Sequence, residues 1–335
     1  MKLFKPAYFD KFRCIADKCP DSCCKEWDVQ VDDTAAEFYR QLPGALGDRL
    51  RQVLTVDNDG DTVMTIENGR CPMWRQDGLC RIQAELGHDA LCKTCREFPR
   101  LTHDYGNFME QGLELSCPVA AQMILNAPLS PFLEEKVSGG EEPEYDEEAM
   151  DILLRTRKEA LAILSCQSSI PEALALTLLY GYHAQAQLDG EPESPFDPKS
   201  ALHAAKDFAK PADIASLPGF YRSLEILTDA WYQRLGSHCP APFTEHIRAL
   251  ARYGIERYWL QAVSDYDLVC RVKLIIASCL LVSTLGGDPI ETAQLYSKEI
   301  ENSAENVDAI LDAAYEHPAF TDDKLLWLLL NWRNA

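Results

Sequence analysis

Thiols are the residues most able to do chemistry in this chain, and they are crowded at one end. Nine of the thirteen cysteines precede residue 118: Cys14, Cys19, Cys23, Cys24, Cys71, Cys80, Cys92, Cys95 and Cys117. Their pattern reads C-x4-C-x3-C-C, then C-P-x7-C, then C-x2-C, then C-P. Spacings of two and three residues let a pair of thiolates reach one metal from a single turn. A four-thiolate site on zinc or on a [4Fe–4S] cluster needs two such pairs brought together by the fold. Cys19 and Cys23 supply one pair; Cys92 with Cys95, or Cys80 with Cys95, supply another. Cys23 and Cys24 are adjacent, so their side chains diverge and one of them is left to pack, to bridge to a second site or to form a redox bond. Cys71 and Cys117 each precede a proline, which restricts them to extended backbone. The later cysteines, Cys166, Cys239, Cys270 and Cys279, are scattered and read as small apolar residues.

Other chemistries leave no trace. There is no H-E-x-x-H, no Walker A loop, no G-x-S-x-G elbow and no G-x-G-x-x-G. The "DNDGD" stretch lacks the acid placement of a calcium loop and reads as a turn. His88 reads as a loop histidine, and Arg96 and Arg100 as basic neighbours of the thiols, able to offset the charge of a thiolate-bound metal.

The elements that must position these thiols divide the chain. Residues 1–130 are turn-rich and irregular, with "VLTV" and "TVMTI" flanking the turn as a short hairpin. The acidic run "EEKVSGGEEPEYDEEAMD", residues 134–151, reads as a solvated linker or loop, which places the linker at residues 131–150. Residues 151–335 repeat the i, i+3, i+4, i+7 spacing of amphipathic helices, in "DILLRTRKEALAILSC", "IPEALALTLLYGYHAQAQL", "FYRSLEILTDAWYQRLG", "HIRALARYGIERYWLQAV" and "DLVCRVKLIIASCLLVSTLGG". The expected fold is mainly α: an irregular, cysteine-rich, metal-binding N-terminal part with a hairpin, packed on an α-helical C-terminal part.

With 335 residues and 47% hydrophobic content, such a chain can bury a true core without disulfides. The opening residues contain no apolar signal stretch, and no run is long enough for a membrane span. A cytoplasmic location is expected, where thiols stay reduced and serve metal or redox chemistry. A net charge of −21 disfavours nucleic acid and anionic membrane as partners and suits a lysine-bearing protein.

The segments "FRCIADKCPDSCCKEWDVQVD", "GRCPMWRQDGLCRIQAELGHDALCKTCREFPR" and "LSCP" resemble the flagellin lysine-N-methylase family, part of the CxxCxxCC group of zinc- or iron-chelating domains. The resemblance implies methyl transfer from S-adenosylmethionine to flagellin lysines, with an iron–sulfur cluster as the metal centre. It implies Cys14, Cys19, Cys23, Cys24, Cys71, Cys80, Cys95 and Cys117 as ligands, and does not extend to Cys92. The sequence itself shows neither a radical-enzyme C-x3-C-x2-C nor a glycine signature for S-adenosylmethionine, and it nominates no catalytic base. The alternative expectation is a non-catalytic zinc or iron–sulfur protein whose helical part binds a partner.

Overall fold

A computed structural model describes residues 1–24, 29–57, 60–237 and 239–332. Residues 25–28 of the first cysteine segment and 58–59 of the "DNDGD" turn lie outside the described residues. Among the described residues, seven strands form two sheets. In chain order they are β1 (Lys2–Lys5), β2 (Val29–Gln30), β3 (Leu54–Val56), β4 (Thr62–Met64), β5 (Arg100–Asp104), β6 (Phe108–Leu113) and β7 (Leu133–Lys136). One sheet runs β5-β6-β1-β7, with β1 parallel to β6 and antiparallel to β7; the other runs β2-β4-β3 and contains the expected hairpin, β3–β4.

The helices are α1 (Asp33–Gln41), α2 (Gly44–Val53), α3 (Arg81–Leu86), α4 (Lys93–Glu97) and α5 (Pro118–Asn126), followed by the larger array. That array is α6 (Glu147–Cys166), α7 (Ile170–Leu188), α8 (Pro198–Phe208), α9 (Ser216–Tyr221), α10 (Asp229–Gly236), α11 (Glu245–Tyr258), α12 (Leu268–Leu285), α13 (Pro289–Tyr296), α14 (Ala304–Glu316) and α15 (Asp322–Leu330). A π-helical turn, Ser297–Glu301, follows α13 directly.

Two hydrophobic cores result. The smaller gathers Val29, Val31, Tyr39, Leu50, Met64, Met73 and Ile82 with the thiols Cys71 and Cys92. Asp32 organises it: one carboxylate oxygen caps α1 at Ala35 N (3.1 Å), and the other accepts from Lys93 N (2.7 Å) at the start of α4. The larger core joins Phe9, Phe12, β6 and α5 to the whole helical array, so both ends of the cysteine-rich stretch belong to it.

At the centre of the array, α12 is long and apolar enough to cross a membrane, yet it is wholly buried in protein. Glycines let its neighbours close on it. A Cβ at Gly181 of α7 would lie 2.9 Å from Val272, and one at Gly254 of α11 would lie 2.8 Å from Ile275. Gly286, at φ +67°, ends α12 in the left-handed region that favours glycine.

Two local expectations are corrected. The acidic run is not all linker. Its start forms β7, held to β1 by Lys2–Glu134 (3.2 Å) and Lys5–Glu135 (2.8 Å), and its end caps and opens α6 through Asp146. The single helix expected over residues 220–236 is broken into α9 and α10. Between them the backbone is drawn out by polar side chains: Glu225 N and O bond Asn306, and Leu227 N and Thr228 N donate to Glu299. These tertiary bonds satisfy the groups that an unbroken helix would have paired internally.

Candidate metal centre and neighbouring cavities

The described cysteines form no disulfide. Three of them stand at helix starts: Cys80 before α3, Cys92 before α4 and Cys117 before α5, where Pro118 takes the first helical position. No capping bond of ordinary geometry forms there. The amides two and three residues on nevertheless favour the thiolate, Ile82 and Gln83 for Cys80, and Val119 and Ala120 for Cys117. The Met73 amide does the same for Cys71, and the Cys95 amide for Cys92.

Two thiol pairs share protons. Cys23 hydrogen-bonds Cys24, whose pKa falls to about 7, while that of Cys23 rises. Cys92 and Cys95 do likewise, Cys92 lowered and Cys95 raised. Burial pushes Cys71 up to about 12 and Cys117 up to about 11. In each pair the hydrogen bond favours the thiolate of one sulfur at the expense of its partner.

Mutual electrostatic influence maps the neighbourhoods. The charge of Cys24 is felt at Cys71, Cys80 and Cys95, and that of Cys92 at Cys71 and Cys80. Cys14 and Cys117 act on Cys23, and Cys14 and Cys19 on Cys117. By these influences the nine N-terminal cysteines sort into an inner group (Cys24, Cys71, Cys80, Cys92, Cys95) and an outer group (Cys14, Cys19, Cys23, Cys117). The two meet at the adjacent Cys23 and Cys24. Cys92, outside the ligand set that the resemblance implied, sits within the inner group; its C-x2-C spacing to Cys95 was the signal.

In donor type this network fits a soft cation: thiols alone, with amides facing their sulfurs. The thiols do not close into a finished cage. Among the described residues, no three His, Cys, Asp or Glu side chains surround one point. The late cysteines stand apart: Cys270 and Cys279 are buried in α12, whereas Cys166 and Cys239 are exposed and so are not the packed apolar residues expected. His88 is exposed in a 3-10 turn, and Arg96 donates to the Leu91 carbonyl (3.3 Å).

The outer group is moored to the helical array. Cys19 Sγ donates to Asp21 O (3.2 Å), and the Asp21 carboxylate receives Lys298 Nζ (3.1 Å) and Gln294 Nε2 (2.9 Å). Gln294 also donates to the carbonyl of Ser116, next to Cys117 (2.8 Å).

Two cavities flank α11. The larger, about 510 Å³, is lined by Asn126, Leu129, Leu164, Glu245, His246 and Arg252, among others. It opens at the C-terminal end of α5, whereas Cys117 is at the N-terminal end, about 13 Å away along the axis at 1.5 Å per residue. The smaller, about 40 Å³, lies between the Pro6–Tyr8 segment, β5, β6 and α11. Around it runs a buried charge network. Arg157 bonds Glu110 through both oxygens (2.6 and 2.7 Å). Arg257 lies 3.6 Å from Glu301, which also accepts from Tyr253 (2.9 Å) and Tyr258 (2.6 Å). Arg252 donates to the Ile124 and Ala127 carbonyls and lies 3.9 Å from Glu256. Burial raises Glu256 to about 7 against the pull of Arg252 and Arg157, and burial also raises Glu114.

No family profile and no solved structure matches the chain. Among curated proteins it is 36% identical over 140 residues to the flagellar biosynthetic protein FliU of Salmonella muenchen, a match covering 40% of this chain and 83% of that protein. It is 35% identical over 138 residues to the lysine-N-methylases of Salmonella typhimurium and Salmonella choleraesuis, covering 39% of this chain. The match spans only 34% of the length of each lysine-N-methylase. At that identity, and over most of FliU, shared ancestry is established: the chain belongs to the family of FliU and the flagellin lysine-N-methylases.

Proposed function

We propose that the protein methylates lysine side chains of a flagellar protein, flagellin by preference, using S-adenosylmethionine and a metal centre held by the N-terminal thiols. The observation that carries this reading is its relationship to the lysine-N-methylases. The convergent thiol network supports the metal centre, and its reduced thiols suit the cytoplasm.

Cys24, Cys71, Cys80, Cys92 and Cys95 would hold one site, and Cys14, Cys19, Cys23 and Cys117 would complete it or hold a second. A zinc ion or iron–sulfur cluster, when bound, supplies the positive charge that lets several neighbouring thiols ionise together. S-adenosylmethionine, when bound, supplies the electrophilic methyl group. The 510 Å³ cavity has the volume of a small-molecule site, with Asn126, Glu245 and His246 as polar contacts.

The rest is the protein's own work. A lysine amine, near pKa 10.4 in water, must lose its proton before its lone pair can accept a methyl group. Burial against apolar walls lowers that value by disfavouring the charged form. The distance along α5 between Cys117 and the large cavity favours a structural or electron-relaying role for the thiols over direct contact with the methyl donor.

Metal-replete protein, prepared anaerobically and incubated with cognate flagellin and S-adenosylmethionine, should add increments of about 14 Da to lysines, read by peptide mass spectrometry. No methylation, with or without reductant, would overturn the reading. Methylation by protein stripped of metal would keep the enzyme and reduce the thiol centre to scaffolding.

A further inference from the structure

We propose that the small cavity between the Pro6–Tyr8 segment, β5–β6 and α11 is a binding site for a primary alkylammonium group, seated against Glu256 and Tyr8. The proposal rests on the reading above for the identity of that amine, a lysine side chain held here in its charged form, before it gives up its proton; the cation site itself rests on charge and geometry.

The first argument is a charge count. Among the described residues the buried network contains four carboxyl groups, Glu110, Glu114, Glu256 and Glu301, against three guanidinium groups, Arg157, Arg252 and Arg257. With all four carboxyls ionised the set would lack one positive charge. Arg157 is engaged by Glu110 and Arg257 by Glu301 and Tyr253; Arg252 donates to two carbonyls, and its Nε, 3.9 Å from Glu256, makes no hydrogen bond among the described residues. A fourth cation entering from outside balances the set, and a buried unbalanced carboxyl is costly enough to favour it.

The second is unmet bonding capacity. The Glu256 carboxyl, the Tyr8 hydroxyl and the His103 imidazole all line the cavity, and none makes a hydrogen bond among the described residues. The nearest charge to Glu256 is Arg252 Nε at 3.9 Å, beyond hydrogen-bond range. An ammonium group brings three donors and no acceptor, and Glu256 and Tyr8 both offer acceptor oxygens.

The third is size and wall. At about 10–15 Å³ per water-sized group, the 40 Å³ cavity takes about three such groups, a nitrogen and two methylenes. Tyr8, Tyr253 and Phe132 among the lining residues give aromatic surface of the kind that attracts ammonium groups. A guanidinium is too broad for the space, and an anion meets Glu256.

The groups that act on Glu256 come from every side: Arg252 on its own helix, Arg157 on α6, Glu110 on β6, with Tyr8 and His103 beside it in the lining. Burial raises Glu256 to about 7, so part of it is protonated at neutral pH, and receiving a cation ionises it. Calorimetric titration of the whole protein with n-butylammonium at pH 7, in two buffers of different ionisation enthalpy, should therefore show binding with net proton release. Glu256→Gln should bind about tenfold or more weakly and release none. Tyr8→Leu, which removes an aromatic wall and no charge, should weaken binding and keep the proton release. Both variants are checked for native circular dichroism. Equal binding by Glu256→Gln, equal binding of neutral n-butanol, or no butylammonium binding at tens of millimolar would overturn the proposal. Flagellin methylation separates the two readings. If Glu256→Gln loses butylammonium binding yet methylates as fast as wild type, the cation site and the enzyme stand and the assignment of that site to the substrate lysine fails. If butylammonium binds as expected while wild type methylates nothing, the enzyme fails and the cation site stands.

Discussion

Removing Arg157 tests how the sheet and the helical array hold each other. Arg157 on α6 and Glu110 on β6 form a two-bond ion pair with side-chain exposures of 12% and 6%. With charge centres about 4 Å apart and an effective dielectric of about 20, their attraction is about 4 kcal/mol. Arg157→Met deletes that attraction and leaves Glu110 desolvated, so the expected loss of stability is about 3–5 kcal/mol. Adding Glu110→Leu removes the stranded charge, and the double variant should regain most of the loss, giving a coupling of about 3 kcal/mol in a double-mutant cycle. Urea denaturation followed by tryptophan fluorescence measures each corner. A single-variant loss under about 1 kcal/mol, or a double variant that merely sums the single losses, would refute the reasoning. The double variant also removes one charge of each sign, so the missing positive charge persists and butylammonium should still bind.

Among the thiols, Cys80→Ala or Cys95→Ala should sharply lower metal content after anaerobic purification, measured by elemental analysis and visible absorption, whereas Cys270→Ala or Cys279→Ala should leave it unchanged; equal losses would dissolve the division. Glu256 has a folded pKa of about 7 against its ordinary 4.5, so the folded state binds the proton more tightly. Its contribution is fully present below pH 4.5 and is lost as pH rises through 7, up to about 3 kcal/mol. Glu256→Gln should therefore flatten the fall in stability between pH 4.5 and 7, and identical pH profiles for wild type and variant would count against the raised value.

The long helices were legible because their apolar spacing needs no partner to be read. Residues 151–166, 170–188 and 268–285 form α6, α7 and α12 much as their periodicity dictates. Residues 222–228 misled for a physical reason: Leu224 and Leu227 have helical spacing, but Glu299 and Asn306, more than seventy residues later, take the backbone groups a helix would use. Strand β7 was hidden likewise. "LEEK" has no strand pattern of its own, and the lysines that neutralise it, Lys2 and Lys5, lie at the other end of the sheet-forming chain. The cysteine clustering was plain in the sequence, but not its partition into two groups meeting at Cys23 and Cys24. The amine cavity left no local signal, since Tyr8, His103 and Glu256 are ordinary residues until β5 and α11 bring them together.

The π-helical turn after α13 makes the chain's length there unforgiving. Within it, Lys298 reaches Asp21 in the cysteine loop, Glu299 holds the extended Leu227–Thr228 backbone, and Glu301 receives Tyr253 and Tyr258. Three demands within four residues are met in this one turn, whose backbone departs from the α-helical register. Deleting one residue would shift the register within the turn, so that Lys298, Glu299 and Glu301 could not all keep their partners. At least one mooring would then be lost: the thiol loop, the α9–α10 connection or the tyrosine pair. An insertion or deletion is ordinarily absorbed at a helix end, but here it would be felt at once in three distant parts of the protein.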